Sequence, residues 1–475
     1  MRRVRGTRRA AERAAPCLRL DQRLPSPRAL PRRTARNGHH GGQGPARPLR
    51  CGTGESDPSD QGTIDDPRLA RCTPAGYVRS DMRLLLVTKD FPPDIGGIQT
   101  YCLELGQRFA EQCESFAVVA PAIPGAEAVD REMPFEVVRI PGTRSSFAPS
   151  VLAYLPRLKA RYRFDVVLGA QWQSAWAAVV GGRAFGPYAV CAAVHGREVL
   201  TMHYAGMGGA ALYDRARRYT LGAVDRLFPG SNYALELVRE KGIAYRSAEV
   251  VSYGCNVERF SPRGGETKRR ELGLEGKKVM LSLCRLVPRK GVDTVLEALP
   301  AISKAVPEVQ YLIAGDGEDR SRLERLVERL GVRPLVRFLG RVPNEEVAPL
   351  LAMSDVFVMP GREERPDVEG FGLVFLEANA CETPVIGSTS GGIPDAVVDG
   401  VTGLLVPPSA PAPFAEAAIR LLKDEDLRRR LGRAGRERVL REGTWDRMVA
   451  QLSASISELL RPKVGRSAAL GITSR

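Results

Sequence analysis

The chain has 475 residues, enough for two or three globular domains. Hydrophobic residues make up 43% and charged residues 26%, which is typical of an ordinary soluble protein. The formal net charge of +15 is concentrated in the first 81 residues, so it does not indicate a nucleic-acid-binding body.

Residues 1–81 differ in composition from the rest of the chain. They hold 17 Arg and no Lys against 8 acidic residues, with 9 Gly and 9 Pro and no apolar run of strand or helix length. Such a composition cannot bury enough surface to offset chain entropy, so we predict a disordered Arg/Gly/Pro-rich extension. Two hypotheses account for it: an over-extended start with Met82 as the working initiator, or a basic interaction arm.

The cysteines and the hydropathy exclude several classes of protein. The 9 Cys include no C-x-x-C pair, so neither a zinc site nor a disulfide framework is indicated. No stretch approaches the roughly 18 apolar residues that span a bilayer, and no secretory signal is recognisable. The sequence therefore predicts a cytoplasmic protein.

From Met82 onward, short apolar runs alternate with helical stretches. The strands predicted in the first half are Leu84–Val87, Phe116–Val119, Val137–Ile140, Val166–Leu168, Ala189–Val194 and Arg226–Phe228. Those predicted in the second half are Lys278–Leu283, Tyr311–Ala314, Val336–Leu339, Val356–Met359, Pro384–Ile386 and Leu404–Val406. Strands this short and apolar predict parallel sheets covered on both faces, hence an α/β fold with two doubly wound, Rossmann-like domains.

The pattern divides the chain into domains. It breaks near Ser261-Pro262-Arg263-Gly264-Gly265, so we predict an N-terminal domain over 82–260 and a C-terminal domain over 261–440. The last helices are expected from Ala412 to about Leu460; the part from 441 to 475 should be a helix that crosses back to the N-terminal domain and then frays. A ligand should lie in the cleft between the sheets, at the carboxyl ends of their strands.

A glycine turn follows the first strand. Gly96 and Gly97 lie between this strand and the next helical stretch, where glycines let the backbone approach a ligand closely. The N–H groups of the following helix start could hold a phosphate or sugar oxygen, although a plain strand-to-helix turn has the same composition.

Two basic residues follow the first strand of the second half. Arg285 and Lys290 would place a guanidinium and an ammonium at the carboxyl end of this strand, which suits a diphosphate; the alternative is a solvated loop. Further along, Glu369 and Glu377 are separated by seven residues and straddle a glycine turn. This spacing predicts Glu369 on a loop above the cleft and Glu377 on the helix beneath, one carboxylate near a sugar and the other near a ribose.

The turn between the two glutamates has the composition of a phosphate-binding helix start. Its sequence is Gly370-Phe371-Gly372-Leu373. The backbone N–H groups of Gly372 and Leu373 would open the helix toward a phosphate. By contrast, Asp424-Glu425-Asp426, which matches a D-x-D metal pattern, is interpreted as a helix end and N-cap.

Taken together, these motifs resemble those of the retaining GT-B glycosyltransferases of glycosyltransferase family 4, from Met82 to about Leu460. The motifs that carry the resemblance are Gly96-Gly97, His195-Gly196, Arg285 with Lys290-Gly291, Gly315-Asp316-Gly317, Phe338-Leu339-Gly340-Arg341-Val342 and the Glu369/Glu377 pair. The stretches from Asp90 to Gln99 and from His195 to Glu198 are most similar to GDP-mannose-dependent phosphatidylinositol monomannoside mannosyltransferases.

The resemblance implies a role for each matching residue. Arg285 and Lys290 would bind the diphosphate and stabilise the leaving group. Glu377 would hold the ribose and Glu369 the hydroxyls of the donor sugar. Val342 would contact the base through its backbone, and His195 would contact the transferred sugar. Gly96 and Gly97 would border the phosphate and the acceptor. His203, the other histidine after Met82, is expected to be structural, and the charged segment between Gly361 and Glu369 could alter sugar choice.

The implied activity is transfer of mannose from GDP-mannose to a lipid-linked or glycan acceptor, without a cofactor or metal. No carboxylate stands at a nucleophile position, so same-face substitution is the expected mechanism. The alternatives are a UDP-sugar donor with a polysaccharide or small-molecule acceptor, and a catalytically inactive nucleotide- or glycan-binding scaffold. A nicotinamide-dependent dehydrogenase is disfavoured because G-x-G-x-x-G is absent. Basic amphipathic stretches at Leu152–Arg163 and Arg215–Tyr219 predict peripheral contact with an anionic membrane.

Overall fold

The computed structural model describes residues 80–182, 184–200 and 207–461. Within these residues the chain forms two six-stranded sheets, and every strand pairing in them is parallel. The predicted N-terminal extension, 1–81, lies outside the described residues except for its last two. His203 and the predicted frayed end from 462 onward also lie outside them.

The first sheet has the strand order β3-β2-β1-β4-β5-β6. Its strands are β1 Ser80–Val87, β2 Cys113–Pro121, β3 Glu136–Ile140, β4 Val166–Gly169, β5 Ala189–Val194 and β6 Arg226–Pro229. All six predicted strands are confirmed, because helices cover both faces and each strand therefore contains a short apolar run. The bounds differ by a few residues: β1 begins at Ser80, where it pairs with Cys113, and not at Leu84, and β2 begins at Cys113 and not at Phe116.

Seven helices surround this sheet in the described residues. They are α1 Gly97–Gln112, α2 Ala126–Glu132, α3 Phe147–Tyr162, α4 Trp172–Gly181, α5 Arg197–Leu200, α6 Met207–Ala223 and α7 Asn232–Glu240. The helix α7 starts with the side chain of Ser231 accepting a hydrogen bond from the Ala234 N–H, an N-cap that fixes where the chain leaves β6.

The second sheet has the strand order β12-β11-β10-β7-β8-β9. Its strands are β7 Lys278–Leu283, β8 Val309–Ala314, β9 Val336–Gly340, β10 Val356–Val358, β11 Val385–Ser388 and β12 Gly403–Val406. The six predictions for this half are likewise confirmed. The helices around it are α8 Gly265–Glu271, α9 Val292–Ala305, α10 Arg320–Arg329, α11 Asn344–Ala352, α12 Leu373–Ala380, α13 Ile393–Ala396, α14 Pro411–Lys423 and α15 Glu425–Glu442.

The C-terminal part is divided into separate helices, as the sequence indicated. The stretch from Ala412 to Leu460 contains α14, α15 and a last helix, α16 Trp445–Leu460. The carboxylate of Asp424 accepts a hydrogen bond from the Leu427 N–H at 2.8 Å, which confirms the predicted N-cap. The hydroxyl of Thr444 caps α16 in the same way, and these two caps explain why the chain turns twice.

The helix α16 packs on the first domain although it follows the second in the chain. Arg108 donates to Asp446 at 2.7 Å, Ser453 donates to Gln112 at 2.8 Å, and Arg226 donates to Ser455 at 2.6 Å. The apolar face of α16 belongs to the same buried cluster as residues of β1 and α1. The last helix therefore leaves the second domain and packs on the first.

Both sheets place a crevice at their carboxyl edge. Where the chain connections on two neighbouring strands run in opposite directions, the loops separate and leave room for a ligand. This switch point lies between β1 and β4 in the first sheet and between β7 and β10 in the second. These two crevices contain the residues described next.

Candidate active site

The crevice of the second sheet brings together a lysine, an arginine and a glutamate. The turn after β7 ends in a 3₁₀ turn, Pro288–Lys290, and the loop after β10 carries Glu369. The ammonium of Lys290 forms an ion pair with the carboxylate of Glu369. Arg289 donates from Nη1 to the same oxygen, Oε2, at 2.6 Å. The predicted proximity of Lys290 and Glu369 is therefore present.

The two cations control the charge of Glu369. Burial alone would raise the pKa of this carboxyl, but the positive charges of Lys290 and Arg289 outweigh it and lower the pKa to about 2. Glu369 is thus ionised at any physiological pH. A buried carboxylate that stays charged can accept hydrogen bonds from sugar hydroxyls, while the lysine beside it can donate to a phosphate.

Arg285 follows β7, as the sequence indicated, but no described residue holds its side chain in place. The prediction was of a fixed guanidinium facing the glutamates, but its side chain is exposed and forms no hydrogen bond or ion pair with any described residue. Only its surroundings are fixed: the Leu286 N–H donates to the Asp316 carbonyl at 3.0 Å. The guanidinium that faces Glu369 belongs to Arg289, which sequence reasoning missed. The available signal was its place beside Lys290 in the same basic turn.

Glu377 lies on α12, as predicted, in an environment opposite to that of Glu369. Its carboxyl accepts no side-chain hydrogen bond within the described part of the chain, and Arg259 is the one cation that offsets its burial there. Burial raises the pKa of Glu377 to about 7. Hydroxyl groups that donate hydrogen bonds to this carboxylate would favour its charged form, so the position suits a ribose.

The glycine turn before α12 is shaped by the first domain. A Cβ on Gly370 would stand 1.9 Å from the backbone oxygen of His195, so no other residue fits there. Gly372 adopts a φ of 91° and is the N-cap of α12, whose first N–H groups have no partner inside the helix. The side chain of Phe371 is buried against Tyr253, with ring centroids 5.1 Å apart. Phe371 can therefore meet a donor only through its backbone.

His195 follows β5, as predicted, and both of its ring nitrogens are engaged within the first domain. Its Nε2 donates to the carbonyl of Ala170 at 2.7 Å, and its Nδ1 shares a hydrogen bond with the Tyr253 hydroxyl. Because a carbonyl can only accept, the proton sits on Nε2. The imidazole is thus held in one orientation, and the His195 backbone carbonyl faces Gly370 across the cleft.

Three further predicted positions, Gly96, Gly97 and Val342, border the cleft without a charged contact. A Cβ on Gly97 would lie 3.7 Å from Leu373, so the turn after β1 lies close to the start of α12. Gly96 precedes α1 and packs against its own helix through Gln99. Val342 follows β9 and is half-buried against the same apolar cluster as Leu373.

The crevice of the first sheet holds a polar pair that the sequence did not reveal. Gln171, after β4, donates from Nε2 to the carboxylate of Asp90, after β1, at 2.9 Å. Asp90 is in turn held by a hydrogen bond from its N–H to the Thr88 hydroxyl at 3.1 Å. In the described residues, four consecutive side chains at the start of α4 keep a buried polar atom without a hydrogen bond: Gln171, Trp172, Gln173 and Ser174. Of these, Gln171 adjoins Asp90, while Trp172 and Gln173 contact Tyr213 on α6. Unpaired buried polar atoms at a crevice suit a hydroxyl-rich ligand.

Comparisons with known proteins show the family of the chain. The family model "Glycosyltransferase Family 4" matches residues 95–259, and "Glycosyl transferases group 1" matches residues 265–438. The chain is 36% identical over 388 residues to a GDP-mannose-dependent alpha-(1-6)-phosphatidylinositol monomannoside mannosyltransferase of Mycobacterium tuberculosis, covering 78% of this chain and 97% of the relative. It is 35% identical over 385 residues to a GDP-mannose-dependent monoacylated alpha-(1-6)-phosphatidylinositol monomannoside mannosyltransferase of Corynebacterium glutamicum, with coverages of 78% and 97%.

A comparison of structures gives the same fold. The crystal structure of Anabaena HepE in complex with UDP matches with a TM-score of 0.68 at 18% identity, covering 79% of this chain and all of HepE (100%). Identity this low supports the arrangement of the two domains and nothing about the substrate.

Proposed function

The chain belongs to glycosyltransferase family 4 and has the GT-B fold, and on that premise we propose that it transfers mannose from GDP-mannose to a phosphatidylinositol mannoside, with retention of configuration. The observation that carries this proposal is the pairing of Lys290 with Glu369 at the switch point of the second sheet. That pairing offers a cation to the leaving diphosphate and a permanently charged carboxylate to the sugar beside it.

The leaving group supports a role for the basic turn. Breaking a glycosyl phosphate bond creates cationic character on the sugar and negative charge on the departing diphosphate. We propose that this negative charge develops beside Lys290 and the first N–H groups of α12, which have no partner inside the helix. Arg285, exposed at the rim, is free to turn onto the diphosphate once a donor is bound.

The proposed substitution takes place on one face of the sugar. The acceptor hydroxyl forms its bond to C1 on the face from which the phosphate leaves. The electron pair of the breaking C1–O bond goes to the phosphate oxygen, and that oxygen takes the acceptor proton. Glu369 would orient the sugar hydroxyls, and His195 would border the sugar from the first domain. We propose that no metal is required, because the protein's own cations supply the positive charge.

The acceptor would lie on the first domain, facing the donor. The Asp90–Gln171 pair and the unpaired polar atoms near it can hydrogen-bond a polyol head group such as inositol. The glycine turn at Gly96 and Gly97 would border both the acceptor and the phosphate.

A lipid acceptor requires contact with a membrane surface. None of the helices in the described ranges is long and apolar enough to cross a bilayer. On α3, Arg161 contacts Glu136 and Lys159 donates to Phe164, so that predicted basic stretch is partly engaged within the domain. On α6, Arg217 is buried, but the side chains of Leu212, Arg215 and Tyr219 share one exposed face. We propose that this face of α6 contacts anionic lipid at the cytoplasmic surface.

A donor and acceptor screen tests the proposal. The full chain is incubated with GDP-mannose, UDP-glucose or UDP-N-acetylglucosamine, each with phosphatidylinositol monomannoside in anionic vesicles, with and without EDTA. The expected product is a dimannoside formed from GDP-mannose alone, at the same rate with EDTA, with the α-configuration retained. Transfer only from a UDP-sugar, or loss of activity in EDTA, would contradict the corresponding part of the proposal.

A further inference from the structure

The loop between β10 and α12 is rich in charged residues and is firmly anchored at its start. Arg362 donates to both oxygens of Asp293, at 2.7 and 3.0 Å, and Asp293 also accepts from Arg322 at 2.8 Å. The Ser388 hydroxyl donates to the carbonyl of Gly361. The first residues of this loop are thus fixed to the second domain.

The middle of the loop contacts the first domain. Arg365 forms a two-point ion pair with Glu240 at the end of α7, with N–O distances of 2.5 and 3.0 Å. Three residues on, Val368 is only 3% exposed and belongs to the apolar cluster of the first domain, together with Leu237 and Val199. A short segment of the second domain is therefore inserted into a face of the first.

Between these two contacts, Asp367 connects the domains by charge. One of its oxygens lies 3.2 Å from Nε of Arg197, at the start of α5, and the other lies 3.1 Å from Nε of Arg289. Arg289 in turn donates to Glu369 at 2.6 Å. A continuous sequence of alternating charges thus runs from Arg197 in the first domain to Glu369 at the donor site.

We propose that residues 365–368 form an interdomain latch, in which Asp367 is a positioning residue that sets Glu369 in place when the two domains meet. Asp367 reaches the donor only through Arg289 and Glu369, and Glu369 matters for transfer because the proposed function assigns it to the donor sugar. The latch makes the orientation of Glu369 depend on contact with the first domain.

The Arg365–Glu240 and Arg289–Asp367 ion pairs differ in exposure, and this difference predicts different effects of removing them. The side chains of Arg365 and Glu240 are 47% and 42% exposed, so this pair contributes little to stability. The side chains of Arg289 and Asp367 are 13% and 27% exposed. Removing one charge from such a partly buried pair leaves its partner uncompensated, which is more costly than at the surface. The Asp367 contact should therefore affect turnover, while the Arg365–Glu240 contact should affect how long the domains stay together.

The test of Asp367 compares it with an acidic residue of the same loop. Asp367→Asn should lower kcat by about tenfold while GDP binding, measured by calorimetry, changes by less than about twofold, and Asp367→Glu should restore part of the loss. Glu364→Gln is the control, because Glu364 contacts Arg362 within the second domain and should leave kcat near wild type. Equal losses in both variants, or an unchanged kcat in Asp367→Asn, would overturn the positioning role.

A double-mutant cycle tests the latch itself. Arg365→Gln and Glu240→Gln should each lower kcat/KM by about threefold, and the double variant by no more than either single variant, because they remove the same contact. If the loss of kcat/KM in the double variant equals the product of the two single losses, Arg365 and Glu240 do not interact, and the latch contact is contradicted.

Hydrogen exchange separates this proposal from the proposed function. The backbone amides within residues 362–369 should exchange faster in Arg365→Gln and in Glu240→Gln than in the wild type. Circular dichroism checks that both variants are folded. If the wild type turns over no nucleotide sugar, the proposed function has failed, while exchange still decides the latch. Unchanged protection in both variants would overturn the latch whatever the activity.

Discussion

The two crevices of this enzyme share a topology and differ in charge. The first places the carboxylate of Asp90 beside the neutral amide of Gln171, with several buried polar atoms unpaired nearby. The second places Lys290 and Arg289 around Glu369 and adds a free helix start. Both crevices arise where strand connections diverge, so the fold alone provides two similar openings.

Under the proposed function, it is side-chain charge, and not topology, that assigns the donor and the acceptor to different domains. An acidic and amide-lined crevice can hydrogen-bond hydroxyls but repels a diphosphate, while a crevice with two cations attracts it. The same reasoning explains why Glu369 and Glu377 have such different protonation. The pKa of Glu369 is lowered to about 2 and that of Glu377 is raised to about 7, although only seven residues separate them in the chain.

The largest expected effect is on the cationic side. Lys290→Ala should lower kcat/KM by about 10² to 10³-fold, because it removes the charge that stabilises the leaving diphosphate. Steady-state kinetics with GDP-mannose measure this loss. Lys304→Ala, which changes an exposed lysine in the last turn of α9, is the control and should have no effect. Near-normal turnover in Lys290→Ala would contradict the claim that the second crevice stabilises the leaving diphosphate through Lys290.

A change in the first crevice should affect the other substrate. Asp90→Asn should raise the KM for the acceptor by about tenfold, since it removes the charge from a hydrogen-bonding carboxylate, and should leave GDP binding unchanged. Kinetics at varied acceptor and calorimetry with GDP give the two values. Asp94→Asn is the matched control, because Asp94 lies in the same loop and pairs with Arg144 outside the crevice. Weaker GDP binding in Asp90→Asn would contradict the assignment.

The contrast between the glutamates predicts a pH effect. Burial raises the pKa of Glu377 from its ordinary 4.5 to about 7, so between these values the folded chain holds a proton that the unfolded chain has released. The free energy of unfolding should therefore fall as pH rises from about 4.5 to 7. At pH 5 the Tm of Glu377→Gln should be close to that of the wild type. At pH 8 its Tm should be higher than that of the wild type.

Thermal unfolding at the two pH values, with nucleotide absent, checks the effect of Glu377. Glu416→Gln, an exposed change on α14, should shift Tm equally at both. If the Tm difference between Glu377→Gln and the wild type is the same at pH 5 and pH 8, the Glu377 carboxyl does not hold a proton in the folded chain between these pH values.

The smallest expected effect concerns the membrane. Replacing Arg215 by Ser should weaken binding to vesicles with anionic lipid by about fivefold, in line with about 1 kcal/mol per basic residue at such a surface. Co-sedimentation at low and high salt measures it. Arg420→Ser, exposed on α14, is the control. Equal losses in the two variants, or binding that does not respond to salt, would argue against the α6 face.

The sequence predicts the strands of this fold well because each is a short apolar run. Parallel strands covered on both faces need such runs, and even the mixed edge strands β3 and β9 keep enough apolar residues to be recognised. The break between α14 and α15 was also predictable, because Asp424 carries the side chain of an N-cap; the cap at Thr444, which starts α16, was not singled out.

The site was only partly predictable for a geometric reason. Lys290 and Glu369 could be brought together because both follow strands that meet at a switch point. Which of the neighbouring cations faces the glutamate depends on the 3₁₀ turn at Pro288–Lys290, which turns Arg289 inward and leaves Arg285 exposed. The pairing of Asp90 with Gln171 joins residues 81 positions apart and carries no periodic signal.

The most direct measurement is a crystal structure of the protein with GDP bound. The account predicts the diphosphate within hydrogen-bond distance of Lys290 and the start of α12, with the ribose hydroxyls on Glu377. A nucleotide bound instead between Asp90 and Gln171 in the first domain would contradict it.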